Sequence, residues 1–246
     1  MAVEPSPNPE PRIPLTRQRV LQAAVGLADH GGLPSLTMRS LAAELGVEAM
    51  SLYHHVANKE DLLDGVIEVV VGEINDAVRE IDAVPDGDDW KQVLRQRILA
   101  ARQILLRHPW APGLMETRTT SSPQVMRYYD DLLGLLRRGG FSNDLAHHAL
   151  HVLGSRALGF TQELFEPDDD GDGDGVDATA MLDQMADQFP NIAAMVMEVS
   201  HGDPANTLGW CDDQFEFEFA LDLILEGLER RRDAAPSARL GNHAPA

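Results

Sequence analysis

An aspartate-rich segment at residues 166–177 has the residue types that bind calcium. Asp168, Asp170 and Asp172 have the spacing found in the first half of a calcium-binding loop. Position twelve of that loop would be Thr179, where a glutamate that binds through both oxygens is required. The segment holds seven acidic residues in twelve, together with three glycines. We therefore expect a solvated loop without a bound metal ion.

Two other groups have residue types suited to zinc binding or to nucleophilic chemistry. His147 and His151 lie four residues apart, a spacing at which a helix places both imidazoles on one face. The sequence offers no third ligand beside them, so a polar patch is the favoured interpretation. Cys211 has no basic neighbour that would favour its thiolate form. Phosphate-binding-loop, dinucleotide-binding and serine-hydrolase motifs are absent from the sequence, so we expect neither an enzyme nor a metal or other cofactor.

A pair of short helical patterns joined by a tight turn has residue types suited to the DNA major groove. The first pattern ends at Gly46, and the second covers residues 48–55. Leu52 and Val56 are spaced to face inward. The residues that remain on the outer side are Ala49, Met50, Ser51, Tyr53 and His54. Small outer residues allow a helix backbone to approach base edges closely. An ordinary packed three-helix bundle explains the spacing alone equally well.

The charge of the chain is unevenly distributed. The total is −20, from 20 basic and 40 acidic residues, which by itself disfavours contact with DNA phosphates. Residues 12–59, however, hold five basic and three acidic side chains, hence +2, and three histidines in addition. The sequence after residue 59 holds 15 basic and 35 acidic side chains. Contact with DNA would therefore be confined to the N-terminal fifth.

The elements that position these residues are predicted to be helices throughout. Apolar residues recur three and four apart, and no alternating strand pattern or internal repeat is found, so we predict an all-α fold. The predicted helices cover residues 15–30, 38–45, 48–55, 58–83, 89–107, 110–118, 123–138, 143–165, 178–199 and 207–232. We predict a disordered proline-rich arm at 1–14, a helix-turn-helix domain at 15–60, a larger helical domain at 61–232 and a disordered tail at 233–246.

The expected location of the protein is the cytoplasm. A single cysteine excludes a disulfide framework and suits a reducing compartment. The chain has no run of 18 apolar residues, and its N-terminus is acidic and proline-rich. These features predict no membrane span and no secretory signal.

The most specific pattern in the sequence lies between Leu36 and Leu63. It consists of L-T-M-R-S-L-A-A-E-L-G-V at 36–47, S-L-Y-H-H-V at 51–56 and N-K-E-D-L-L at 58–63. This pattern resembles the DNA-binding domain of the tetracycline-repressor (TetR) family. The resemblance implies an all-helical transcriptional repressor that binds double-stranded operator DNA as a homodimer and is released by a small-molecule effector.

The resemblance also implies roles for single residues. Arg39 and Lys59 would contact phosphates, and Tyr53 and His55 would support the contact with the DNA backbone. Tyr53 as a packing residue is the alternative. The residues that would face the bases are Ala49, Met50, Ser51 and His54. Because two of these are apolar, contact with a thymine methyl group is favoured over paired hydrogen bonds to a base.

The C-terminal region must then provide dimerisation and effector binding. The predicted helix at 207–232 is apolar on two faces, which a partner subunit on one side and the protein's own core on the other would explain. Helix 143–165 is its expected companion in a four-helix interface between subunits. The alternative is a monomer in which the helix at 207–232 is deeply buried.

The effector is expected to be a metal-free small molecule of unknown identity. The resemblance extends weakly into the C-terminal region, but Met115 stands where the tetracycline-responsive branch has its metal-binding histidine, and a thioether is a poor ligand for Mg²⁺. The candidate effector-binding residues are Asn75, Arg97, Met115, Arg118, Leu132 and His148. A ligand-binding or protein-interaction module that has lost operator binding is the alternative function. The joint presence of Arg39, Tyr53, His55 and Lys59 favours the regulator.

Overall fold

The computed structural model describes residues 14–81, 90–118, 122–158, 186, 188–199 and 213–234. Every regular element in these stretches is an α-helix, which confirms the predicted fold class. The chain divides into two compact units, one of residues 1–158 with 228–246 and one of residues 159–227. None of the described helices is long and apolar enough to cross a membrane. The predicted arm, apart from Pro14, and the aspartate-rich segment at 166–177 lie outside the described residues.

Three helices form the N-terminal part of the first unit: α1 (Arg17–Ser35), α2 (Met38–Leu45) and α3 (Ala49–Leu52). Together with residues 53–58 we call them the head. Thr37 begins α2 with a capping box, in which its hydroxyl accepts from the backbone N–H of Ser40 while the Ser40 hydroxyl bonds back to Thr37. Gly46 ends α2 in the left-handed conformation, at φ 64°, which favours glycine. The tight turn that the sequence predicted between α2 and α3 is therefore present.

The first helix ends later than the sequence predicted. Its backbone leaves the helical conformation at Gly32, with φ 67° and ψ 175°, close to the predicted end at His30. One further turn then follows to Ser35, even though it contains Pro34. The Ser35 hydroxyl donates to the carbonyl oxygens of Leu27 and Gly32 and thereby fastens this turn to the preceding helix.

Helix α4 (Lys59–Ile81) runs from the head into the helical body. The predicted domain boundary at 60/61 thus falls inside a single helix. The remaining helices are α5 (Trp90–Arg107), α6 (Ala111–Thr117), α7 (Pro123–Arg138), α8 (Asn143–Leu158), α9 (Pro190–Val199) and α10 (Asp213–Ala234). Within the first unit, α4 packs against α1, α5, α6 and α7, and α7 also packs against α5 and α8.

The predicted tail begins two residues too early, because α10 continues through Ala234. Its last turn carries Arg231 and Arg232, and cations are favourable at the negative end of a helix dipole. Arg232 also donates to the carbonyl oxygen of Gly139 and lies over the ring of Trp90, 5.3 Å from its centroid. These contacts hold the last turn of α10 in place, at the position where the sequence predicted the helix to end.

One apolar core continues from the head into the body. It takes Val20 from α1, Leu41 from α2, Leu52 from α3 and both Val66 and Val70 from α4, all fully buried. Complete burial of such a side chain contributes about 1.5–3 kcal/mol. Helix α3 is therefore anchored by the same core that holds α4.

The crossing of α1 and α4 at Gly65 leaves no room for a side chain. A Cβ atom at Gly65 would lie 2.5 Å from Cδ2 of the buried Leu21. We expect Gly65→Ala to lower the free energy of unfolding by about 1–3 kcal/mol, as overpacking of a core does. In the same helix a Cβ at Gly72 would meet nothing within 4 Å, so Gly72→Ala is the matched control and should gain up to about 1 kcal/mol of helix propensity. Urea denaturation at one fixed protein concentration measures the free energy of unfolding of both variants. Equal changes in Gly65→Ala and Gly72→Ala would contradict the close packing at Gly65.

Candidate nucleic-acid interface and effector site

Helix α3 presents its predicted outer face to solvent. Leu52 and Val56 are fully buried beneath it, as expected. Met50 is 73% exposed and Tyr53 45% exposed. His54 is also exposed, whereas Ala49, Ser51 and His55 are half-buried. The structure thus agrees with the predicted division for Leu52, Val56, Met50, Tyr53 and His54, whereas Ala49, predicted on the outer side, packs partly against the apolar core because it lies next to the turn from α2.

Two exposed basic residues flank α3. Arg39 lies on α2, and Lys59 is the first residue of α4. The side chain of Asn58 caps α4, since its Oδ1 accepts from the backbone N–H of Asp61 at 2.9 Å. Lys59 therefore begins α4 at the positive end of its dipole, and a helix N-terminus with a basic residue in its first turn is favourable for an anion such as a phosphate.

Arg17 of α1 fixes the segment between α3 and α4. Its Nη1 donates to the carbonyl oxygen of His55 at 2.9 Å, and its Nη2 donates to Oδ1 of Asp61 at 2.8 Å. The Asp61 carboxylate also accepts from the backbone N–H of Ala57 at 2.7 Å. The hydrogen bond from Arg17, followed by that from Ala57, lowers the pKa of Asp61, so the carboxylate stays ionised at neutral pH. His55 and Lys59 are consequently carried on a segment with fixed geometry.

The head is tied to the body through Asp29 of α1. Oδ1 of Asp29 accepts from Nδ1 of His108 and from Nε1 of Trp110, both at 2.7 Å. His108 is buried, and its Nε2 lies 3.4 Å from Oε2 of Glu73 on α4. Arg107 donates to the same oxygen of Glu73 at 3.0 Å. This contact, which we call the Asp29 junction, joins α1 to the turn between α5 and α6.

Arg118, a predicted effector contact, lies at the end of α6 and binds the start of α4. Its Nε donates to Oδ1 of Asp64 at 2.6 Å, and its Nη1 donates to Oε2 of Glu60. A surface cleft of ≈ 240 Å³ lies beside this contact, between Arg118, Ile67 and Val125. We call the contact the Arg118 junction, and it ties α6 to the first turns of α4.

Three other predicted effector residues lie where α7 packs against α4 and α5. Asn75, Arg97 and Leu132 are all buried. The amide of Asn75 donates to the carbonyl oxygen of Gln124 at 3.1 Å and to its Oε1 at 3.2 Å. Nη1 of Arg97 donates to the carbonyl oxygen of Asp131 at 3.2 Å. Polar groups buried in a helical core are costly unless they are bonded, and these hydrogen bonds offset that cost.

Tyr128 belongs to the same cluster and was missed by the sequence reasoning. It lies on α7 one turn after Gln124 and one turn before Asp131, a spacing that could have indicated a shared helix face. Burial raises the pKa of Tyr128 to about 12, so its hydroxyl remains a hydrogen-bond donor at physiological pH. We call Asn75, Arg97, Gln124 and Tyr128 the buried polar cluster.

The last two predicted effector residues have different surroundings. Met115 on α6 is half-buried and packs against the apolar core. His148 on α8 is exposed, and its Nε2 lies 3.9 Å from Oδ1 of Asp144. The structure therefore places Asn75, Arg97 and Leu132 in the interior along α7, with Arg118 at a junction and His148 at the surface.

The metal candidates are only partly covered by the structure. Among the described residues, no group of three or more histidine, cysteine, aspartate or glutamate side chains is arranged to hold a metal ion. The rings of His147 and His151 meet edge to face, with centroids 4.6 Å apart. Cys211 and the aspartate-rich segment lie outside the described residues.

Helix α10 is apolar on two faces, as the sequence predicted. Phe217, Leu221 and Leu225 are buried on one face. On another face the residues Phe215, Phe219 and Leu223 recur every four positions and are more than half exposed. We call this second set the exposed α10 stripe. An apolar stripe of this kind is typical of a protein–protein interface.

Two family models match the chain. The model described as "Bacterial regulatory proteins, tetR family" matches residues 20–66, which include all of the head except the first three residues of α1. The model described as "Tetracyclin repressor-like, C-terminal domain" matches residues 84–232, more than half of the chain.

Individual proteins agree with these matches. The chain is 30% identical to the HTH-type transcriptional repressor DrrR1 of Streptomyces coeruleorubidus over 238 residues, which is 94% of this chain and 85% of that protein. It is 35% identical to an HTH-type transcriptional regulator of Saccharopolyspora erythraea over 127 residues, 52% of this chain and about half (51%) of that relative. Among solved structures, apo ActR from Streptomyces coelicolor superposes with a TM-score of 0.67 and 27% identity, covering 91% of this chain and 99% of that one. ActR has also been solved in complex with actinorhodin.

The lowered pKa of Asp61 makes the stability of the head depend on pH. Because the folded pKa lies below the unfolded value of about 3.9, the stabilisation by Asp61 is fully present above that pH and is lost as the pH falls towards the folded pKa. We expect Asp61→Asn to reduce the free energy of unfolding at pH 7, and the difference from wild type to shrink below about pH 4. Urea denaturation between pH 7 and pH 3 measures this difference.

The control is Asp61→Asn introduced into an Arg17→Ala variant and compared with that variant. It should show a weaker dependence on pH, because the hydrogen bond that contributes most to the lowered pKa of Asp61 is then absent. If the free energies of unfolding of wild type and Asp61→Asn differ by the same amount from pH 7 down to pH 3, this role of Asp61 is contradicted.

Proposed function

This chain belongs to the TetR family of bacterial regulatory proteins, and we propose that it represses transcription by binding operator DNA as a homodimer until a small molecule releases it. The observation that carries the proposal is the head, in which α3 exposes Met50 and the helices before and after it carry the exposed basic residues Arg39 and Lys59. Nothing in the structure favours a module that has lost DNA binding. The function also implies that the protein works in the cytoplasm, where bacterial DNA lies.

The roles that we propose at the DNA follow from exposure and charge. Arg39 and Lys59 bind phosphates, and Tyr53 and His55 support the contact with the DNA backbone. The residues that face the base edges are Ala49, Met50, Ser51 and His54. Leu52 and Val56, buried behind them, hold α3 in a fixed orientation towards the groove.

We propose that the homodimer forms through the helices around 143–165 and 207–232. The exposed α10 stripe supplies three large apolar side chains, and Val152 on α8 is also exposed in the single chain. Burial of this surface against a second copy would remove it from water and contribute to association. Dimers of this kind read two half-sites about one helical turn apart.

We propose the buried polar cluster, together with Leu132, as the place where the effector is recognised. Its amide and guanidinium groups are buried and bonded to α7, and the partly buried Tyr128 adds a phenol on the same helix. They suit a mainly apolar ligand that carries a few oxygen atoms able to accept hydrogen bonds. Met115 adds polarizable apolar surface, and we retain a metal-free effector as the proposal.

DNA binding is tested by an electrophoretic mobility shift with the full-length protein and the DNA upstream of its own gene. We expect a sequence-dependent complex at sub-micromolar protein that weakens steeply with salt. Arg39→Ala and Lys59→Ala should each weaken binding to operator and to unrelated DNA alike, and each should reduce the salt slope by about one. Arg79→Ala, at an exposed residue in the last turn of α4, is the control and should bind as wild type does. The absence of any salt-sensitive, sequence-dependent complex would overturn the proposed function.

Dimerisation is tested by introducing charge into the exposed α10 stripe. Phe219→Glu places a carboxylate in the proposed apolar interface, where it would be buried without a partner. We expect this variant to sediment as a monomer at concentrations where the wild type is a dimer. Met126→Glu alters an equally exposed apolar side chain on α7, outside the proposed interface, and should remain dimeric. Dimers of equal strength in both variants would exclude the α10 stripe from the interface.

A further inference from the structure

The side chain of Met50 is exposed and is not among the residues that pack against the apolar core. Its side chain is 73% exposed, and none of the other large apolar side chains in the described part of the chain is more exposed. It is the second residue of α3 and lies on the opposite side from the buried Leu52. A single exposed apolar side chain is common on protein surfaces. This one, however, lies on the element that the proposed function places against the base edges.

The residues around Met50 lack the side chains that identify a purine through two hydrogen bonds. Residues 48–55 read E-A-M-S-L-Y-H-H, without arginine, lysine, asparagine or glutamine. Arginine and lysine are the usual partners of guanine, and asparagine and glutamine those of adenine. Hydrogen bonds from this segment to bases are therefore limited to single contacts, for which Glu48, Ser51 and His54 are available. Most of the discrimination at α3 must come from another interaction.

We propose that Met50 recognises the C5 methyl group of a thymine in each half-site of the operator. Among the four standard bases, thymine is the one that presents an apolar group, its C5 methyl, in the major groove. Apolar side chains are the usual partners of this methyl group. The unbranched thioether of methionine adapts its shape to such a contact, and the contact removes apolar surface of both groups from water. This inference rests on the proposed function, because it requires the head to bind operator DNA.

The position of Met50 on α3 supports this contact over the other base-facing residues. Ala49 is half-buried and ends at Cβ, so its reach is short. Ser51 is half-buried and polar. Recognition helices approach base edges with their N-terminal residues, and Met50 is the long apolar side chain at that end of α3.

The test uses the full-length protein and duplexes that it selects from a random DNA library. Each thymine of the selected operator is replaced in turn by deoxyuridine, which removes the methyl group and preserves the pairing. We expect about a fourfold loss of affinity at a thymine in each half-site, the factor that corresponds to burial of one methyl group. An operator in which that T·A pair is replaced by 5-methylcytosine·guanine should bind the protein more tightly than one with cytosine·guanine at the same place. The 5-methyl group of the modified cytosine restores the methyl group in the major groove.

Two variants separate a contact by Met50 from a general effect on the DNA. Met50→Ala should bind the thymine and deoxyuridine operators equally well, whereas Met126→Ala, the same exchange at an exposed methionine on α7, should retain the fourfold difference. A selected operator without a methyl-sensitive thymine would overturn the inference alone, as would unchanged sensitivity in Met50→Ala. If the protein selects no sequence at all, the proposed function fails and the inference fails with it.

Discussion

The contact of Arg17 with Asp61 and with the His55 carbonyl determines the geometry on which DNA contact depends. Helix α3 contains only four residues, too few to be stable by its own hydrogen bonds. Its orientation must therefore be imposed from outside, by the core beneath Leu52 and by the segment that follows it. Arg17 joins that segment to α4, since one guanidinium binds the carbonyl of His55 within the segment and the carboxylate of Asp61 in the first turn of α4. The exposed face of α3 and the ammonium group of Lys59 thereby keep a fixed relation to each other.

Helix α6 is held to α1 near one end and to α4 at the other. The Asp29 junction lies just before it and reaches α1, and the Arg118 junction lies just after it and reaches α4. A displacement of α6 must therefore move α1 and α4 with it or break these contacts. Hydrogen bonds to charged groups contribute about 1.5–3 kcal/mol each, and allosteric coupling between sites is typically 1–3 kcal/mol. The two junctions thus have the energetic scale that is needed to couple a ligand in the body to the position of α3.

Local rules predicted most of the helices, and long-range contacts account for what they missed. The spacing of apolar residues, the Thr37 cap and Gly46 were enough for the head, because capping and turn preferences act over a few residues. Arg118 pairs with carboxylates more than fifty residues earlier in the chain, and no local pattern indicates such a partner. Long-range contacts also fix the end of α10, since Arg232 donates to the carbonyl oxygen of Gly139 and lies over the ring of Trp90. In the candidate site, Arg39 and Lys59 followed from the motif, whereas the grouping of Asn75 with Gln124 depends on how α7 packs against α4.

The acidity of the chain bears on how the head must distinguish its operator. With a local charge of +2 in residues 12–59 and −20 in the sequence after residue 59, the N-terminal fifth is the part of the sequence whose charge attracts DNA. Attraction to phosphates is independent of sequence, so a small basic face gives weak binding to DNA in general. Specificity is the ratio of operator binding to this background. A low background allows modest base contacts, such as a methionine on a thymine methyl group, to produce a useful ratio without an arginine in the recognition helix. The net charge that argues against DNA binding when it is summed over the chain is, by its distribution, compatible with selective binding.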